Sequence, residues 1–186
     1  MIEILEAAKE VEQFFRRRRW KFCIIGGVAV MRWIPPRTTE DVDFSLMTSL
    51  GNEARVIDRI LQDFEGRGSD AREFAFESRV LLIRSSNGTD IDIALAAFAF
   101  EETILERATR FRFARGVTLT TASAEDLLLM KAVASRARDW LDIGEIMTAQ
   151  KDKLDWAYLD RQAVLLEQVF EMEILNRIQA ERDRLS

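Results

Sequence analysis

Over the first 18 residues, apolar side chains recur at Ile4, Ala7, Val11, Phe14 and Phe15 with charged residues between them, a spacing that predicts an amphipathic helix over 2–18. The pattern then changes. Phe22 to Ile25 is a short continuous apolar run, that of a buried strand, and Gly26-Gly27 interrupts it. Val28 to Trp33 predicts a short helix with its N-terminus at the glycines, stopped by Pro35-Pro36, and a loop over 37–40 leads into a second strand over 41–46. Side chains alternate faces along a strand, so Asp41 and Asp43 share one face, roughly 7 Å apart, while Val42 and Phe44 face a core.

Further along, Val56, Ile57, Ile60, Leu61 and Phe64 predict a helix over 53–64, closed by Gly66 and Gly68. Phe74 to Phe76 and Val80 to Arg84 read as strands. Asn87-Gly88 is a hairpin signal feeding a strand over 90–95, where Asp90 and Asp92 share one face and Ile91 and Ile93 the other. A helix over 101–109 and strands over 111–114 and 117–120 follow. From Ser123 the chain reads as helical, with Ser123 and Asp126 in capping-box spacing. The division falls near residue 121, giving an α/β core over 1–121 and a helical region over 122–186 expected to pack on it.

Composition narrows the chemistry. The chain has 186 residues, no histidine and one cysteine. Histidine triads and zinc-hydrolase sites are thereby excluded, and Cys23 sits in an apolar run as a small core residue. Catalysis falls to carboxylates, lysine, arginine, hydroxyls or a metal held by oxygen. A net charge of −5 argues against a protein that coats nucleic acid over its whole surface. The run Arg16 to Arg19 is either a solvated helix end or a docking site for an anion. No stretch approaches the ~18 apolar residues of a membrane span, and residues 1–15 lack the pattern of a signal peptide. The expected location is cytoplasmic, with no membrane partner.

Gly26-Gly27, then Arg37-Thr-Thr-Glu-Asp-Val-Asp43, then Ile91-Asp-Ile-Ala-Leu95, then 125–143 with Lys131 and Asp139 occur in an order that resembles the nucleotidyltransferase superfamily with the DNA polymerase beta-like palm. Within it the chain is most similar to AbiEii-type and related small bacterial nucleotidyltransferases, over roughly 22–148. Thirteen residues separate Gly27 from Asp41. The resemblance implies an α+β fold, a mixed β-sheet flanked by helices with a C-terminal helical region. It also implies transfer of a nucleoside monophosphate from a nucleoside triphosphate to a hydroxyl on RNA, protein or a small molecule. Asp41, Asp43 and Asp92 would be the catalytic carboxylates and would hold two Mg2+ ions about 3.5–4 Å apart. Asp90 is the alternative third carboxylate.

Gly26, Gly27, Arg37, Thr38 and Lys131 are the nucleotide-binding residues the resemblance implies. Many members carry serine just after the glycines, where this chain has Val28, so phosphate contact there falls to main-chain amides. Arg37 either meets the triphosphate or pairs with Glu40. An unbroken helix from Ser123 would align Leu128, Lys131, Ser135, Arg138 and Asp142, beside an apolar stripe of Leu127, Met130, Ala134, Ala137 and Leu141. Lys131 then has two readings, a triphosphate contact or an ion pair with Asp126, Asp139 or a sheet carboxylate. Trp33, Trp140 and Trp156 either stack on a base or fill a core. The alternative to an enzyme is an interaction protein of a toxin–antitoxin pair that binds nucleotide or a partner without turnover.

Overall fold

The computed structural model describes residues 1–35 and 38–185. The chain divides into two compact units, one running through Met1–Arg32 and on to Ala122, the other beginning with a short segment at Trp33 and resuming from Ser123. In the first unit the helices are α1 (Ile2–Arg17), α2 (Gly26–Val30), α3 (Glu53–Leu61), α4 (Ala71–Ser78) and α5 (Ala99–Arg107). Its strands are β1 (Phe22–Ile25), β2 (Asp41–Met47), β3 (Glu65–Gly66), β4 (Val80–Arg84), β5 (Asp90–Ala96), β6 (Thr109–Ala114) and β7 (Val117–Thr121).

These strands form one mixed sheet in the order β3-β4-β5-β2-β1-β7-β6. β2 and β5 run parallel, as do β1 and β7, and the other neighbours are antiparallel. The architecture is a mixed sheet with flanking helices. Period-two patterning sets the pairing: Val42, Phe44 and Leu46 on β2 and Ile91, Ile93 and Leu95 on β5 are buried, while Asp41, Asp43, Asp90 and Asp92 alternate with them and remain partly accessible. A one-residue slip would bury the aspartates and expose the isoleucines. α1 lays Val11, Phe14 and Phe15 into this core, where the Phe15 ring meets Phe44 edge-to-face at 5.4 Å. Each such buried aromatic contributes roughly 1.5–3 kcal/mol by burial. The hairpin joining β4 to β5 turns at Asn87-Gly88, where Gly88 has φ +85° and the Ser85 amide donates to Thr89 O at 3.0 Å.

In the first unit, two segments take a different state from the sequence expectation. Phe74 to Phe76 is not a strand but the middle of α4, where Ala71 and Ala75, one turn apart, are the buried side chains and both phenylalanines are exposed. A three-residue apolar run carries too little periodicity to separate the two states. Gly66 does not close α3; it lies in β3, paired with Ile83.

The second unit holds α6 (Ala124–Ala134), α7 (Ala137–Gln150), α8 (Trp156–Phe170) and α9 (Leu175–Arg184). Ser123 caps α6, its Oγ accepting from the Asp126 amide at 3.1 Å. The unbroken helix expected from Ser123 does not form, because Ser135 adopts φ +54° and its amide closes α6 on Lys131 O at 2.8 Å. Asp139 then opens α7 by accepting from the Arg136 amide at 3.2 Å. The break rotates one helix against the next, so the expected apolar stripe ends there: Leu127 is buried, whereas Ala134, Ala137 and Leu141 are exposed. Trp140 and Trp156 are half-buried, with Arg177 and Arg182 over their rings at 4.1 and 4.3 Å. Trp33 is also half-buried. Among the described residues, no helix is long and apolar enough to cross a membrane.

Candidate active site

The parallel register of β2 and β5 sets Asp41 against Asp90 and Asp43 against Asp92. Antiparallel pairing on the other side sets Ile25, the last residue of β1, against Asp43. The chain then turns into α2 at Gly26, with φ +59°. A Cβ at Gly26 would fall 1.8 Å from Asp43 Oδ2, and one at Gly27 would fall 2.3 Å from Thr39 Oγ1. Both glycines are therefore needed for close approach, and Gly26 also for its left-handed backbone. Gly26→Ala should lower stability by roughly 1–3 kcal/mol and displace Asp43, read as a lower melting temperature together with lost triphosphate binding. An alanine variant that melts and binds like wild type would remove the requirement for close approach.

Asp41, Asp43 and Asp92 each present a carboxylate oxygen, all within 4.8 Å of one another, and all three residues are half-buried. Thr39 Oγ1 donates to Asp41 Oδ1 at 3.1 Å and orients it. Arg67 bridges the two aspartates of β5: Nη1 donates to Asp90 Oδ2 at 2.7 Å and Nη2 to Asp92 Oδ1. Among the described residues its Nε is buried without a hydrogen-bond partner. Arg84 adds a second cation to Asp90 at 3.2 Å.

The two aspartates of β5 are thereby driven apart electrostatically. Hydrogen bonding from Arg67, with help from Arg84, holds Asp90 below the usual carboxylate range. Burial pushes Asp92 up, and the negative charges of Asp41 and Asp90 add to this against the pull of Arg67. Asp90 is saturated by arginines, whereas Asp92 faces the other two carboxylates. Asp92→Asn should cost at least ~10²-fold in transfer rate and Asp90→Asn much less. The opposite order in a steady-state assay would make Asp90 the third carboxylate.

An all-oxygen set of three carboxylates suits a hard divalent cation such as magnesium. Thr38 is exposed in the segment leading to β2. Arg37 lies outside the described residues. Lys131, in the second unit, is buried and ion-paired, its Nζ 3.1 Å from Asp139 Oδ1 and 2.6 Å from Asp142 Oδ2. This is the ion-pair alternative with Asp139 and adds Asp142, two residues on the next helix. Thr39 and Arg67 escape sequence reasoning. Thr39 is one of two adjacent threonines, and Arg67 stands between two glycines whose evident role is to end a helix.

A family model described as nucleotidyl transferase AbiEii toxin, type IV TA system, matches residues 18–183. No curated protein matches the chain significantly. Among solved structures, an antigenic nucleotidyltransferase-like protein from Paracoccidioides brasiliensis is similar with a TM-score of 0.56 and 18% identity, covering 90% of this chain and 88% of that one. The lincosamide antibiotic adenylyltransferase LnuA, lincomycin-bound, gives a TM-score of 0.53 at 12% identity, over 76% of this chain and 94% of that one. The antibiotic-resistance factor ANT(2'')-Ia gives 0.52 at 14% identity, over 90% and 97%. At these identities the likeness is one of fold.

Proposed function

We propose, from the premise that the chain belongs to the AbiEii nucleotidyltransferase family and is a nucleotidyltransferase, that at Asp41, Asp43 and Asp92 it transfers a nucleoside monophosphate from a nucleoside triphosphate to an acceptor hydroxyl, with pyrophosphate as the leaving group. The observation that carries this reading is the convergence of the three carboxylates opposite Gly26. Magnesium held by them would supply neutralisation of the triphosphate and a lowered pKa for the acceptor hydroxyl.

The protein's own groups then have distinct tasks. Thr39 keeps Asp41 Oδ1 oriented, and the absent side chains of Gly26 and Gly27 let main-chain amides approach the triphosphate. Asp92, made more basic by burial and by its neighbours, is the group to orient the acceptor hydroxyl and take its proton. Arg67 fixes Asp92 by holding it and Asp90 in one fork. Arg37 and Thr38 belong to the same nucleotide subsite in this reading. Lys131 is assigned instead to holding α7 on α6 through Asp139 and Asp142.

The family's description as a toxin of a type IV toxin–antitoxin system supports an antitoxin as the biological counterpart. The acceptor is specified by this chemistry only as a hydroxyl. Incubating the protein with magnesium and each α-labelled ribonucleoside triphosphate, in separate reactions with total RNA, cell-extract proteins and aminoglycosides, should label one acceptor class. Label on none of them, with Asp43→Asn indistinguishable from wild type, would remove the transferase reading at this site.

A further inference from the structure

A cavity of about 770 Å3 lies at the other end of the β1–β2 pair, its charged lining Arg18, Arg55, Arg59 and Asp58 and its other walls including Trp20, Asn52 and Gln62. Its volume is within the range of small-molecule sites. Trp20 immediately precedes the Lys21–Phe22 entry to β1, where Phe22 pairs with Leu46, whereas the carboxylates lie where Ile25 pairs with Asp43. Three residues of strand, about 10 Å, separate those two pairings along β1.

Positive charge dominates the cavity walls in a chain that is acidic as a whole. Of the carboxylates at hand, Asp58 is taken by Arg72 at 2.7 Å, and Asp63 serves both Arg18 at 3.2 Å and Arg59 at 3.3 Å. The side chain of Arg55, one turn before Arg59 on the exposed face of α3, makes no hydrogen bond or ion pair among the described residues. The Arg18 guanidinium lies over the Phe14 ring at 3.5 Å. Burial and repulsion from Arg59 and Arg17 lower its pKa despite Asp63. An anion entering here would relieve repulsion already built into the wall.

We infer that this cavity is a second ligand site, separate from the carboxylate cluster, and that it takes a nucleoside monophosphate, with the phosphate on Arg55 and Arg59 and the base against Trp20. Guanidinium forks match phosphate oxygens. The indole offers a stacking face; Gln62 Oε1 accepts from Arg59 Nη1 at 2.5 Å, which leaves its Nε2 and the Asn52 carboxamide as edge contacts to a base.

The test uses the full chain carrying Asp41→Asn and Asp43→Asn in excess chelator, which takes the carboxylate cluster out of play and makes the outcome independent of the transferase reading. AMP, GMP, ribose 5-phosphate and inorganic phosphate are titrated while the Trp20 indole N–H resonance is followed, identified by its absence in Trp20→Phe. Nucleoside monophosphate should shift that resonance to saturation, and ribose 5-phosphate should bind about tenfold more weakly for want of a stacked base. Arg55→Gln with Arg59→Gln should weaken binding by about tenfold or more, and Arg55→Lys alone by no more than about threefold. In the otherwise wild-type chain, Arg55→Gln with Arg59→Gln should leave the transfer rate within about twofold, as expected of a separate site. Equal binding by the double-glutamine protein, or no saturable shift, would overturn the site. Inorganic phosphate binding as tightly as AMP and GMP would overturn the nucleoside monophosphate as its ligand.

Discussion

Asp43→Asn should abolish nucleotidyl transfer, by about 10³-fold or more, while the melting temperature holds or rises. Asp43 is the central member of the cluster, flanked across the sheet by Asp92 on β5 and by the β1 terminus at Ile25. Three carboxylate oxygens within 4.8 Å repel one another, and the guanidinium that bridges β5 reaches Asp92 and Asp90. Neutralising Asp43 relieves that repulsion in the unliganded protein and removes one oxygen ligand from the set. Asparagine is isosteric, so the close approach of Gly26 to this side chain survives. Rate and melting temperature measured on the same preparation separate the roles. A variant that melts well below wild type would make Asp43 a structural residue.

Lys131→Met should act on stability, lowering the unfolding free energy by about 3–5 kcal/mol, with triphosphate affinity unchanged. The Lys131 side chain is 10% exposed and its two partners 4% each, so the lysine offsets buried negative charge with little help from solvent. Methionine suits the helix and fits the volume, yet leaves Asp139 and Asp142 without the ammonium. The loss should depend on pH. In wild type, burial acts to raise the Asp139 pKa, but Arg136 and Lys131 prevail and hold it below the usual range. A depressed pKa stabilises above the unfolded value, near 4, and that contribution disappears as pH falls through the folded value. The deficit of the variant should therefore be full at neutral pH and shrink in acid. Urea midpoints at pH 7 and about pH 3, with triphosphate affinity at pH 7, make the test. Weakened affinity with an unchanged midpoint would return Lys131 to the nucleotide.

The strands that carry the carboxylates are legible in the sequence because Asp-Val-Asp-Phe and Asp-Ile-Asp-Ile alternate strictly, and a two-residue period fixes both the element and its faces. The same alternation makes Asp90 and Asp92 indistinguishable locally. Their difference comes from Arg67, which directly follows β3, two strands from β5 in the sheet, and no local pattern reports so distant a partner. Thr39 is hidden for the same reason, since its contact with Asp41 depends on the path of a loop. Ser135 shows the converse failure: its neighbours are good helix formers, and only the backbone reversal at φ +54° divides the helices and turns Lys131 toward Asp139 and Asp142. Alanine spacing in α4 is masked by two phenylalanines that face outward.

The central claim is that Asp41, Asp43 and Asp92 bind a triphosphate through a divalent cation. Calorimetric titration of the purified chain with a nucleoside triphosphate, in magnesium and in excess chelator, tests it most directly. Without a cation the three carboxylates and the triphosphate repel, so saturable binding should appear in magnesium and vanish in chelator. Equal affinity in the two conditions would contradict the account.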